Sequence, residues 1–180
     1  PTFGHDPAHS GYFPGGLGRN RFQHRWTVAW TNGLPQVAVG GDRVFVIPEV
    51  FFSPASVHAL STYSGAALWS RSFPPNPNSM TPPTLAEGGL FFQRNNHSVD
   101  SQVYRLDPAT GEVVWKSPFP VQWSRNFAPV VASNTVWVPA GLDNGLAAFR
   151  ADTGTDLFLQ NLGSEEGWAP AWWEGRLFTF

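Results

Sequence analysis

The chain is 180 residues long, enough for one domain with a sizeable core. It has no cysteine, which excludes a disulfide scaffold, and only 13% charged residues against a soluble norm of about 25%. A formal net charge of -2 supplies no basic field for a phosphate backbone, so nucleic acid is excluded as a partner class, and no apolar run approaches the ~18 residues of a membrane span. Gly 18 and Pro 17 make the chain dense in turns, while 42% hydrophobic residues, 15% aromatics and nine Trp are ample for a core. Short strands punctuated by turns follow from that balance, rather than disorder. The first residue is Pro and no leader pattern follows it, so Pro1 reads as a processed end or a sequence boundary.

In chain order, residues 1–20 form a lead-in, and residues 21–34, containing RFQHRWTVAW, read as a single outer-type strand. A repeat then begins. Residues 59–69 read ALSTYSGAALW, residues 105–115 read RLDPATGEVVW and residues 148–158 read AFRADTGTDLF, which aligns Gly65, Gly111 and Gly154. A second motif recurs in register as RVFVI, GLFFQ, TVWVP and RLFTF, each after a short polar turn. Each copy therefore predicts four antiparallel strands, A to D, over 35–74, 82–120 and 128–162, with a fourth copy starting at 169–180. Four strands every 40 to 50 residues predict an all-β fold of propeller blades.

The turn between strands C and D has a definite chemistry. In the second copy Pro108 presets φ, Asp107 and Thr110 are placed to accept from turn amides, and Gly111 supplies a positive φ. Trp69 and Trp115, four residues beyond the glycine, are flat side chains suited to dock the turn of a neighbouring blade. The third copy keeps Thr153 and Gly154 but has Phe158 in the Trp position, which predicts a weaker dock.

At these residues the chain resembles the pyrroloquinoline-quinone (PQQ)-like propeller repeat, Ala-x-Asp-x-x-Thr-Gly-x-x-x-Trp. Asp107, Thr110, Gly111 and Trp115 match in the second copy, and Ala59, Gly65 and Trp69 match in the first. The opening FGHDPAHSG also looks like the lead-in of many such proteins. The resemblance implies a ring of seven or eight blades, of which this chain would supply about half; a closed four-bladed ring is the alternative. It implies a bacterial, extracytoplasmic protein, periplasmic or secreted. It leaves open two kinds of function, because the repeat is shared by quinone-dependent dehydrogenases and by BamB-type propellers that bind proteins. The vicinal Cys pair typical of the alcohol dehydrogenases is absent.

Candidate binding residues fall in the loops. Those leading from strand D to the next strand A carry Asn78, Trp123, Arg125, Asn126, Glu166 and Trp168, an aromatic and polar mixture suited to a ligand or partner. The Arg125 fork fits a carboxylate or main-chain carbonyls. The loops between strands B and C are expected on the opposite face, where the adjacent rings of Phe51 and Phe52 form a candidate partner patch. Asn95, Asn96, Asp100, Asp143 and Asn144 are oxygen donors of the kind Ca2+ takes, but their spacing matches no calcium loop. His5 and His9 are separated by Pro7, which argues against a shared helical metal site. No GxSxG, phosphate-loop or HExxH motif is present.

The reading that follows is a non-catalytic protein-binding or scaffolding propeller, without metal or cofactor. Its expected partner is a protein, with the remaining half of the ring and another copy of the chain among the candidates. The first alternative is a dehydrogenase using PQQ and Ca2+, with its active site partly outside these residues. The second is a structural subunit that self-assembles through an open strand edge.

Overall fold

The computed structural model describes residues 6–8, 10, 23–30, 33, 35–49, 54–73, 78–96, 101–119, 127–140, 145–163 and 169–179. Among them there is no helix, and the strands form successive antiparallel sheets. The first contains β1 (Pro35–Gly40), β2 (Arg43–Pro48), β3 (Ala55–Ser61) and β4 (Ala67–Phe73), paired in chain order. The second contains β5 (Asn78–Met80), β6 (Thr84–Ala86), β7 (Gly89–Asn96), β8 (Ser101–Leu106) and β9 (Val113–Phe119). The third contains β10 (Val130–Ala132), β11 (Thr135–Pro139), β12 (Gly145–Arg150) and β13 (Asp156–Asn161), and β14 (Ala171–Trp173) pairs with β15 (Arg176–Phe178). The innermost strands meet in sequence, β1 against β6, β6 against β10 and β10 against β14. This is a partial β-propeller: three blades and the first hairpin of a fourth.

The inner strand of the second blade is broken. Thr81 donates its backbone N–H to Gln93 O (3.0 Å), and the Gln93 N–H is taken by Thr81 Oγ1 (2.9 Å) instead of by a main-chain carbonyl. Pro82 and Pro83 then follow, neither of which has an N–H to offer a ladder. The result is two short strands, β5 and β6, both paired with the eight-residue β7. Asn78, expected in a loop, is therefore the first residue of β5, opposite Asn96. Residues 23–30, expected as strand, form no ladder, because no described strand lies beside them to pair.

Register also corrects the two-face picture of the loops. Pro35 opens β1 opposite Pro48 at the end of β2, and Ala55 opens β3 opposite Phe73 at the end of β4. The same holds where Asn78 meets Asn96 and Ser101 meets Phe119. In a four-stranded meander the start of A, the end of B, the start of C and the end of D must fall at one end. The B–C connections and the D–A connections thus share a face, and the A–B and C–D turns occupy the other.

That other face is made of tight turns. The later A–B hairpins turn through paired left-handed residues, Glu87 with Gly88, Ser133 with Asn134 and Glu174 with Gly175, whereas the first has Gly41 alone. Neighbouring blades are linked here, since the Asn134 N–H of the third blade donates to the Glu87 carboxylate of the second, while within the third blade Asn134 Oδ1 accepts from the Asp152 N–H.

The apolar cores lie between blades. Phe45, Ile47 and Val57 of the first blade pack with Met80, Leu90, Phe92, Tyr104 and Leu106 of the second. Phe92 and Tyr104 stack with centroids 5.3 Å apart, and Phe73 meets both rings edge-on. Phe91, Val103 and Trp115 face Val131, Val136, Val138 and Phe149 across the next seam. Val130, Trp137 and Ala148 then pack against Trp172 and Leu177. Alternation along β7 explains the arrangement, because Phe91 and Phe92 point to opposite seams.

One contact recurs on the first three C–D turns. The Nε1–H of Trp26 donates to Thr62 O (2.9 Å), that of Trp69 to Pro108 O (3.1 Å) and that of Trp115 to Ala151 O (3.0 Å). Each indole lies flat on the glycine of the turn it meets. A Cβ built on Gly65, Gly111 or Gly154 would stand 2.8, 2.6 or 2.7 Å from the ring of Trp26, Trp69 or Trp115. All three glycines also have positive φ. Gly111→Ala therefore combines left-handed strain of ~1 kcal/mol with overpacking of ~1–3 kcal/mol. Gly88→Ala, where φ is also positive but no atom lies within 4 Å of the new Cβ, carries the strain alone. Urea unfolding of the two variants is expected to show the Gly111 change as the more costly by about 1–3 kcal/mol.

Candidate functional site

The C–D turns show what the repeated sequence builds locally. In each, the glycine N–H bonds back to the carbonyl four residues earlier: Gly65 to Ser61, Gly111 to Asp107 and Gly154 to Arg150. A hydroxyl one residue before the glycine accepts the N–H just after it, from Ala66 to Ser64 Oγ, Glu112 to Thr110 Oγ1 and Thr155 to Thr153 Oγ1. The acidic position completes only the second turn, where Asp107 Oδ1 accepts from Ala109 N (2.7 Å) and Thr110 N (2.9 Å). The Thr110 and Ala109 N–H groups hold the Asp107 carboxyl below the ordinary carboxylate range. Ser61 imitates this with one bond, from Tyr63 N. Asp152, two residues further along in the third turn, is likewise held low, by the Asn134 side chain and then by Arg150.

A second link accompanies each dock. Two residues after Trp69, Arg71 donates to Gly111 O (3.0 Å); two residues after Trp115, Ser117 Oγ donates to Gly154 O. Arg105 adds bonds to Ala151 O and Asp152 O while its guanidinium lies over the Phe91 ring. Gly65, Trp69, Asp107, Thr110, Gly111, Trp115, Thr153 and Gly154 thus all lie in or against the turns. Phe158 is half exposed on β13, with every residue of that strand open to solvent. The sequence reading passed over Trp26, although it stands about as far ahead of Gly65 as Trp115 stands ahead of Gly154. Trp30 is also placed on the first blade, tilted against His58 at 4.7 Å, and burial pushes the His58 imidazole down from its ordinary pKa.

The turn face is thus closed by its own hydrogen bonds, and the loop face is where variable sequence is presented. Of the candidate binding residues, only the Asn78 main chain is placed, in β5 on the loop face. Phe51, Phe52, Trp123, Arg125, Asn126, Glu166 and Trp168 lie outside the described residues. Among the described residues no three His, Cys, Asp or Glu side chains come together as a metal-binding group.

Depressed acidity at Asp107 has a sign. Its carboxylate stabilises the fold above the unfolded-state value of about 3.9, and the contribution is lost as pH falls through the lower folded value. Asp107→Asn is expected to be less stable than the parent at neutral pH, with the difference closing in strongly acidic buffer, as read from urea midpoints at both.

The family model described as outer membrane protein assembly factor BamB matches residues 18–177. Among solved structures, BamB from Moraxella catarrhalis is similar at a TM-score of 0.58 and 24% identity, over 77% of this chain and 43% of that one. A europium-containing methanol dehydrogenase is similar at 0.56 and 21% identity, over 72% and 26%. A protein of unknown function from Bacteroides caccae is similar at 0.55 and 16% identity, over 76% and 48%. No curated protein matches the chain. This chain spans less than half the length of each of these structures, and at such identities they speak for the fold alone. The match over most of the chain, on a fold of Trp-linked four-stranded blades, places the protein in the BamB family of PQQ-like β-propellers.

Proposed function

We propose that this chain serves as a protein-binding or scaffolding propeller in an extracytoplasmic compartment of a bacterium, without catalysis, and that it binds through the loop face. One observation carries the reading. In the described blades the register brings to a single end the strand termini from which the B–C and D–A connections leave, and in the sequence those connections contain Phe51, Phe52, Trp123, Arg125, Glu166 and Trp168. Aromatic residues and arginine are the residue types enriched in protein interfaces. The opposite face has its main-chain groups committed to turns and docks, which leaves it little to offer a partner. The BamB family membership supports a role in protein assembly.

The test is photo-crosslinking in the intact bacterium. A crosslinking amino acid is placed at Phe52, Trp123 or Trp168, and, as controls on the turn face, at the exposed Tyr63 or at Thr153. Crosslinks to a defined protein from the loop positions, and none from the turn positions, are expected. Crosslinks from the turn face alone would overturn the assignment of the face. Reduction of an artificial electron acceptor by the purified protein supplied with PQQ, Ca2+ and an alcohol or sugar would overturn the non-catalytic reading.

A further inference from the structure

The seam between the second and third blades is not apolar throughout. Along β7, Phe91, Gln93 and Asn95 alternate onto the same side, and Phe91 belongs to the core shared with the third blade. The corresponding position in the first blade, Ile47, is fully buried and apolar. In the second blade Gln93 occupies it, 3% exposed, opposite Val103 of the same core. Asn95 lies opposite Ser79 of β5, and both are 4% exposed. Ser117, opposite Val103 on β9, reaches across to Gly154 O, which shows that this side of the sheet looks at the third blade.

Within this polar strip, two buried atoms have no hydrogen-bond partner: Ser79 Oγ and Gln93 Nε2. They are diagonal neighbours across the β5–β7 pair, because Ser79 faces Asn95 and Gln93 is two residues back on the same side. Diagonal side chains in an antiparallel pair start roughly 7–8 Å apart at the backbone, and a glutamine side chain is long enough to shorten that gap. The amide Nε2 can only donate, while the serine hydroxyl donates or accepts. What the pair requires is a small neutral group with an acceptor lone pair and a proton of its own.

We propose that this strip binds one internal water molecule, which accepts from Gln93 Nε2 and exchanges a second hydrogen bond with Ser79 Oγ. A water is the group that satisfies both atoms without adding charge or volume to a seam otherwise closed by Val103, Val131 and Val138. The site belongs to the second blade alone, since Ile47 in the first and Pro139 in the third offer no side-chain donor there.

A crystal structure of the protein at a resolution that shows ordered solvent tests this directly. A density peak about 2.7–3.2 Å from both atoms is expected. A dry seam, with the two side chains bonded to each other or to protein groups, would overturn the proposal. In solution, water oxygen-17 relaxation dispersion counts long-lived internal waters. Gln93→Ile, which installs the first blade's residue, is expected to lower the count by one, and Ser79→Ala serves if that variant does not fold. An unchanged count in a folded variant would overturn it as well.

Discussion

The indole of one blade resting on the glycine of the next fixes the geometry of this molecule. The contact asks three things of the sequence at once. The turn must bend through a positive φ, its third dimension must be bare of a Cβ, and a carbonyl must point at the ring nitrogen. Gly111 meets the first two, and Pro108 O meets the third. Because the turn is held internally by the Asp107 N–H to Glu112 O and Gly111 N–H to Asp107 O bonds, the platform is rigid before the indole arrives. The cores between blades can then be filled by side chains of ordinary shape, with Phe45, Phe91 and Phe92 buried almost completely.

The loop face follows from the same constraint. With the C–D turns committed to neighbours and the A–B turns reduced to two residues, insertions and side-chain variety can be accommodated at the other end of the blades only. That end carries unequal lengths of chain, and the second blade spends part of its longer connection on β5. Its inner strand is interrupted by Pro82 and Pro83 and rejoined by the Thr81 hydroxyl.

Much of this architecture could be read from the residues. The aligned glycines gave blade phase, and the alternating apolar strands gave sheet rather than helix. The share of the candidate site that was legible is smaller. Loop residues have no periodicity to betray their placement, so Asn78 could be read as loop when β7 was long enough to pair with it. The expectation of two loop faces failed for a different reason: it treated connections as independent, whereas strand parity in a meander decides the end at which each one falls. Trp26 escaped notice because it precedes the first complete copy of the repeat, and a motif search anchored on the glycine looks downstream for its Trp. Gln93 was hidden inside an apolar string, where only its burial gives it meaning.

The docks also have a direction. Each Trp reaches forward, from Trp26 to the first turn, from Trp69 to the second and from Trp115 to the third, so the first and second blades each present a donor side and an acceptor side. Such head-to-tail contacts couple nearest neighbours and nothing further away. A duplicated or deleted copy would bring its own donor and acceptor with it and leave the remaining seams chemically unchanged. Blade number is then free to drift over evolutionary time, limited by the angle at which a ring can close rather than by the wording of any one repeat.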